Sequence, residues 1–248
     1  MQLVLIVWLC VQLTIVQTFV YTAVLVEPRQ HIGIHYVIQN ALNSLSSDWS
    51  VLFVHGKNNS AYAKEVLRKF SDIDSARVLL ADGGFDELNH SAHSNILRSE
   101  KFYDLIPTET HLLFQTDTII CEEHNEIINN FMEYDYVGAP WPFFPEVGNG
   151  GLSLRKKSKL VNKIRQCELI LDTSDPRWEP EDMWFSKPCG NLTKPTRDKA
   201  KEFSNEFYMT DISFGCHKIW HFHTHKQVRT KIAHCKALYG LMKIYNFI

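Results

Sequence analysis

Short apolar runs alternate with stretches of helical spacing through the first half of the chain. Residues 20–26 form a β-rich run that ends at Glu27, Pro28 and Arg29. Ile34, Val37, Ile38, Ala41, Leu42 and Leu45 recur at three- and four-residue intervals, which predicts a helix over 34–45. Residues 51–54 predict a second strand, stopped by His55 and Gly56, and 61–70 a second helix. A third strand is expected over 77–81, a helix over 94–102 and a fourth strand over 111–114. Strands that are apolar without alternation are those buried on both faces. Interleaved with helices, they predict an α/β fold with a mixed, mostly parallel sheet flanked by helices. Ligands in such sheets bind beyond the carboxyl ends of the strands, and Asp117 stands just past the fourth one.

The second half is less regular. Residues 134–141 read as a rigid aromatic turn, 150–155 as a strand, and 158–166 as a helix that Ser158 could cap. Pro180 precedes a short helix over 181–186, and another helix is expected over 199–207. The Pro- and Asp-containing stretches 168–180 and 188–198 read as surface loops or a lid. His221, His223 and His225 alternate, so on a strand they would share one side, either as a zinc site or as an exposed face.

With 248 residues, 45% of them hydrophobic, the chain can bury a full core, and one domain over 19–248 is the simplest division. A net charge of −2 with scattered basic residues gives no support for a nucleic-acid partner. The dense cluster Arg155, Lys156, Lys157 and Lys159 is either a solvated face or a set in which Arg155 points at a diphosphate or an acidic sugar. No charged side chain occurs before Glu27, so residues 1–18 are expected to be a signal peptide or membrane anchor. Sequons at Asn58, Asn89 and Asn191 agree with a glycoprotein of the secretory pathway, in the Golgi or ER lumen. The cysteines 10, 121, 167, 189, 216 and 235 lack CxxC spacing, which argues against a zinc site and allows one or two disulfides with an odd thiol.

Four features carry chemistry. Asp117 follows a buried strand, where a carboxylate needs a partner; it is either a cation ligand or a turn-former bonded to local N–H groups. Glu181 and Asp182 precede the apolar run Met183, Trp184 and Phe185. They are either general-base candidates or acids stabilised at a helix start. Asn149, Gly150 and Gly151 make either a tight turn or a floor on which donor and acceptor rest. His217, after Gly215 and Cys216, could complete a metal shell.

Taken together, six segments resemble the family known as domain of unknown function 5672, which is similar to the GT-A superfamily of nucleotide-sugar-dependent glycosyltransferases. They are Val26 to Arg29, Phe114 to Asp117, Asp135 to Trp141, Gly148 to Arg155, Glu181 to Phe185, and His217 with Lys218. The resemblance runs from about Val20 to Trp220 and implies a GT-A-like fold. It further implies metal-assisted, inverting transfer of a sugar from a UDP- or GDP-linked donor to a hydroxyl of a glycan, protein or lipid. Asp117 and His217 would bind Mn2+ or Mg2+, and Asp182, beside Glu181, would be the base. Gln115, Thr116, Trp141, Asn149, Gly150, Gly151 and Arg155 would contact donor and acceptor. Gln115 stands where the superfamily has an acid, which removes a charge from the cation site. That departure carries the alternative reading, a nucleotide-sugar or carbohydrate-binding protein of the same fold without turnover.

Overall fold

The computed structural model describes residues 18–85, 90–167 and 180–248. The expected signal or anchor at 1–18 therefore lies outside the described residues but for Thr18, and the loop at 168–180 but for Pro180. Among the described residues, no helix is long and apolar enough to cross a membrane.

The strands are β1 (Tyr21–Val26), β2 (Trp49–His55), β3 (Val78–Asp82), β4 (Thr110–Phe114), β5 (Thr118–Ile120), β6 (Tyr136–Pro140), β7 (Val147–Lys156), β8 (Ser204–Asn205) and β9 (Gly215–His217). The helices are α1 (Gly33–Ser44), α2 (Ser60–Leu67), α3 (Asp72–Ser75), α4 (His90–Leu97), α5 (Glu100–Asp104), α6 (Lys157–Cys167), α7 (Glu181–Ser186), α8 (Arg197–Phe203), α9 (His225–His234) and α10 (Ala237–Ile244). The main sheet has the order β3-β2-β1-β4-β7-β6, and a small sheet the order β5-β9-β8. β3, β2, β1 and β4 run parallel, and β7 lies antiparallel to both β4 and β6.

Both faces of the main sheet are covered, which explains the unbroken apolar runs. Ala23 and Leu25 of β1 pack with Ile34, Val37, Ile38 and Ala41 of α1 on one face. Val24 and Val26 pack on the other with Leu97, Phe102 and Tyr103. At roughly 1.5–3 kcal/mol per buried large apolar side chain, these two layers dominate the stability of the fold.

The structure corrects several boundaries. The helix expected over 94–102 is two helices, because Ser99 leaves helical geometry and its hydroxyl accepts from Phe102 N–H at 3.3 Å, capping α5. Ser158 caps nothing, since α6 starts directly after β7; its N–H and hydroxyl donate to the Glu109 carboxylate instead. The aromatic turn at 134–141 contains β6, at the edge of the sheet, with Pro140 at its last position. The helix expected over 199–207 ends at Phe203, and the chain turns extended as β8. His221, His223 and His225 share no strand: His221 ends a single 3-10 turn, His223 Nε2 donates to the Glu206 carbonyl at 2.7 Å, and His225 opens α9. The stretch 188–196 is pinned rather than lid-like, by the Cys167–Cys189 disulfide and by Thr193 N–H donating to Asp135 at 2.9 Å. A second disulfide joins Cys121 to Cys235, and Cys216 is the buried free thiol among the described cysteines. Asn58 and Asn191 are exposed, and Asn89 lies outside the described residues.

Candidate active site

The site forms where the small sheet meets the carboxyl end of β4 and the amino-terminal half of the antiparallel β7. Its first wall follows from one strand pairing. β5 and β9 are antiparallel with Thr118 opposite His217, so the residue before one strand lies beside the end of the other. Lys218 N–H donates to the Asp117 carbonyl at 3.0 Å and extends that pairing by one step. Lys218 does so in the left-handed region, at φ 32 and ψ 38, a conformation that a non-glycine residue adopts at a cost of order 1–3 kcal/mol. Asn40 of α1 exchanges hydrogen bonds with Ile120 at 2.8 and 2.9 Å, fixing β5 to α1. Thr118 Oγ1 donates to Gly151 O at 2.8 Å and accepts from Gln115 N–H at 3.2 Å, which shapes the Gln115–Asp117 turn.

The His217 ring is held on all sides. Its Nε2 lies 3.1 Å from Gln115 Oε1 and 3.3 Å from Asp117 Oδ1. Its Nδ1 lies 3.2 Å from Asn149 Oδ1 and 3.5 Å from Glu206 Oε2. A Cβ on Gly151 would sit 2.0 Å from His217 Cε1, so the ring rests flat on the β7 backbone and only glycine fits beneath it. Burial works against the imidazolium, yet the Asp117 and Glu206 carboxylates carry the His217 pKa up to about 9. Burial also pushes Asp117 up, but His217, by charge and by hydrogen bond, brings it down to about 2.

The opposite wall comes from α7. Asp182 Oδ2 accepts from Gly150 N–H at 2.9 Å and Oδ1 from Met183 N–H at 2.8 Å. A Cβ on Gly150 would approach Glu181 Oε1 to 2.8 Å and Asp182 Cβ to 3.0 Å. The two glycines are thus side by side for two reasons: Gly150 lets α7 dock, and Gly151 lets His217 lie down. The expected ligand floor is therefore occupied first by the protein's own side chains. Burial, then the neighbouring Glu181 charge, push the Asp182 carboxyl up to about 6. That value suits a base that is ionised near neutrality yet still able to take a proton.

Between the walls is a cleft of about 300 Å³. Of the candidate site residues, Gln115, Trp141, Asn149, Gly150, Gly151, Glu181, Asp182 and His217 line it. Asp117 joins through its contact with His217. Two expected residues do not reach it. Thr116 is buried under the C-terminal segment, its hydroxyl accepting from Tyr245 OH at 3.3 Å. Arg155 is fully buried, paired with Glu181 at 2.7 Å, bonded to Ser153 at 2.8 Å and stacked over Tyr136. A guanidinium sealed in this way cannot touch a diphosphate. Glu181 spends its carboxylate on that pair, which leaves Asp182 as the free acid of the two. Sequence reasoning gave no role to Lys218, Glu206, Phe143 or Phe207, which also line the cleft. Lys218 sat in a recognisable segment; Glu206 was hidden by the expectation of helix through 207.

Asp117 Oδ1, Gln115 Oε1 and His217 Nε2 offer a carboxylate, a carbonyl and an imidazole nitrogen at one point. Three lone-pair donors facing one another fit a divalent cation, and carboxylate and carbonyl oxygens suit Mg2+ and Mn2+. The neutral Gln115 supplies a ligand atom but no charge. The buried cysteines 121, 216 and 235 also lie together, but two of them are the disulfide already described.

Several solved structures share this architecture. The glycosyltransferase GlyE of Streptococcus pneumoniae TIGR4, in its apo form, matches at a TM-score of 0.55 and 12% identity, over 93% of this chain and 63% of that one. The present chain thus spans less than two thirds of GlyE's length. The galactosyltransferase LgtC, in complex with donor and acceptor sugar analogs, matches at a TM-score of 0.58 and 11% identity, over 91% of this chain and 94% of that one. At such identities the likeness shows a GT-A glycosyltransferase fold. No curated protein matches by sequence. The model of the family described as "Protein of unknown function (DUF5672)" matches residues 80–217, more than half of the chain, and the chain belongs to that family.

Proposed function

We propose that residues 19–248 form one domain that transfers a sugar from a nucleotide-sugar donor to an acceptor hydroxyl. The observation that carries this reading is the convergence, on either side of Gly150 and Gly151, of the Asp117–His217 pair and the Asp182 carboxylate in one cleft. Asp117, Gln115 and His217 would hold Mn2+ or Mg2+. When bound, the cation supplies positive charge for the diphosphate as it leaves. Lys218, half-exposed on the same wall, takes the part expected of Arg155 and faces the diphosphate from the protein side.

Asp182 receives the acceptor's proton. The acceptor oxygen then forms a bond to the anomeric carbon, and the bond from that carbon to the diphosphate oxygen breaks with its electron pair on the oxygen. The Gly150 and Met183 N–H groups keep Asp182 in place through the step. Attack from the side opposite the leaving group inverts the anomeric centre. The uncharged run before Glu27 and the sequons support placement in the ER or Golgi lumen, with residues 1–18 as signal or anchor.

A donor panel of UDP- and GDP-sugars tests the reading through nucleotide release with and without Mn2+, comparing wild type with Asp182→Asn. Release that depends on Asp182 supports transfer. Gln115 favours one competing reading, a binding protein without turnover. Its signature is nucleotide binding by calorimetry with no release from any donor in the panel.

A further inference from the structure

Glu206 is a carboxylate in an improbable place. Its side chain is 1% exposed, and neither oxygen has a hydrogen-bond partner among the described residues. A buried charge left in that state costs several kcal/mol unless something compensates it. Its backbone is fixed from two sides: its N–H donates to Tyr208 O at 3.2 Å and its carbonyl accepts from His223 Nε2 at 2.7 Å. The carboxylate therefore stays where the fold puts it, on the cleft wall, 3.5 Å from His217 Nδ1 and 3.5 Å from Lys218 Nζ.

The position relative to the ring decides what Glu206 can do. Asp117 and Gln115 face Nε2, whereas Glu206 and Asn149 face Nδ1. A cation shared by Nε2, Asp117 and Gln115 is on the far side of the imidazole from Glu206, so Glu206 cannot be one of its ligands. It acts on the ring instead. Asn149 Oδ1 already accepts from Gly151 N–H at 3.1 Å, and it is neutral. Glu206 supplies the only anionic charge among the described residues on the Nδ1 side. A negative charge there favours the proton on Nδ1, turns the lone pair of Nε2 toward Asp117 and raises the basicity of that nitrogen.

We propose that Glu206 is a positioning residue for His217: its carboxylate charge, 3.5 Å from Nδ1, favours the proton on Nδ1, which Asn149 Oδ1 accepts at 3.2 Å, so that Nε2 is the metal-binding atom, and it returns to the site the negative charge that Gln115 lacks. The inference rests on the cation-binding reading above. It explains why a chain without the second acid of the turn keeps a buried carboxylate one residue layer further out.

Binding of Mn2+ alone, followed by the electron paramagnetic resonance of the free ion, separates the two levels. Wild type binds, Glu206→Gln binds 10- to 100-fold more weakly, and Asp182→Asn binds as wild type does. Equal affinity in wild type and Glu206→Gln, both folded by circular dichroism, overturns the role of Glu206 while leaving the cation site standing. Failure of the wild type itself to bind Mn2+ overturns the cation reading, and the proposal with it. A second readout needs no variant. In protein labelled with histidine carrying 15N at one ring position, the electron spin echo of bound Mn2+ couples strongly to Nε2. Strong coupling to Nδ1 instead contradicts the proposal.

Discussion

Two buried ion pairs flank β7, and they have opposite fates. Arg155 and Glu181 meet at 2.7 Å, with side chains 0% and 7% exposed, walled by Tyr136 and Phe185. His217 and Asp117 meet at 3.3 Å, with Asp117 still 24% exposed and the cleft open beside the ring. The first pair neutralises its charges internally, with Arg155 Nη1 left without a hydrogen-bond partner among the described residues, and ties α7 to the sheet. The second leaves lone pairs facing solvent and can exchange a proton for a cation. The same ingredients, a cation and a carboxylate, thus give structure where aromatic rings close over them and a candidate binding site where they do not. Asp182 stands between the two, fixed by the first and facing the second.

Substitutions break this comparison at different points. Asp182→Asn removes the proton acceptor but disturbs neither pair. Turnover falls at least about 100-fold, measured as nucleotide release at saturating donor, and because an amide can accept from only one of the Gly150 and Met183 N–H groups, stability falls by about 1–3 kcal/mol. Glu181→Gln strikes the sealed pair and leaves Arg155 charged and uncompensated. It costs roughly 3–5 kcal/mol in urea unfolding, whereas Asp117→Asn costs much less because its pair opens to water. Gly151→Ala places a methyl where the His217 ring lies, so Mn2+ affinity falls by roughly tenfold or more, in line with the effect of disturbing a ligand's support. A smaller effect sharpens the link between the pairs. Because Asp182 must be ionised to accept a proton and its pKa is raised to about 6, kcat/KM rises with pH through about 6 and then levels. Glu181 is one cause of that rise, so Glu181→Gln moves the acid limb toward lower pH. A limb that stays put contradicts the assignment of Asp182 as base.

The parts of this arrangement differ in how much the sequence reveals. β1, β2 and β4 are legible because both faces of each are buried, and a continuous apolar run is the direct imprint of that, whereas β3 at the sheet edge is only partly buried and is read from its short apolar run alone. Asp117, Asp182 and His217 are legible as acids and a histidine placed just outside such elements. Arg155 misleads because a basic cluster at a strand end looks the same whether it faces water or the core. Its burial depends on Tyr136 and Phe185 arriving from β6 and α7. Glu206 is invisible because the run from Lys199 fits a helix, and only the turn at Phe203 into β8 aims it inward. The β5-β9-β8 sheet, built from strands of two and three residues, leaves too little periodicity to read.

The claim on which all of this depends is that the Asp117–His217 pair and Asp182 serve one nucleotide-sugar. Calorimetric binding of UDP and GDP, with and without Mn2+, to wild type, Asp117→Asn and Asp182→Asn addresses it directly. The account predicts that wild type binds one nucleotide more tightly with Mn2+, that Asp117→Asn loses the gain, and that Asp182→Asn keeps it. Binding of neither nucleotide, or a Mn2+ gain that survives Asp117→Asn, would contradict it.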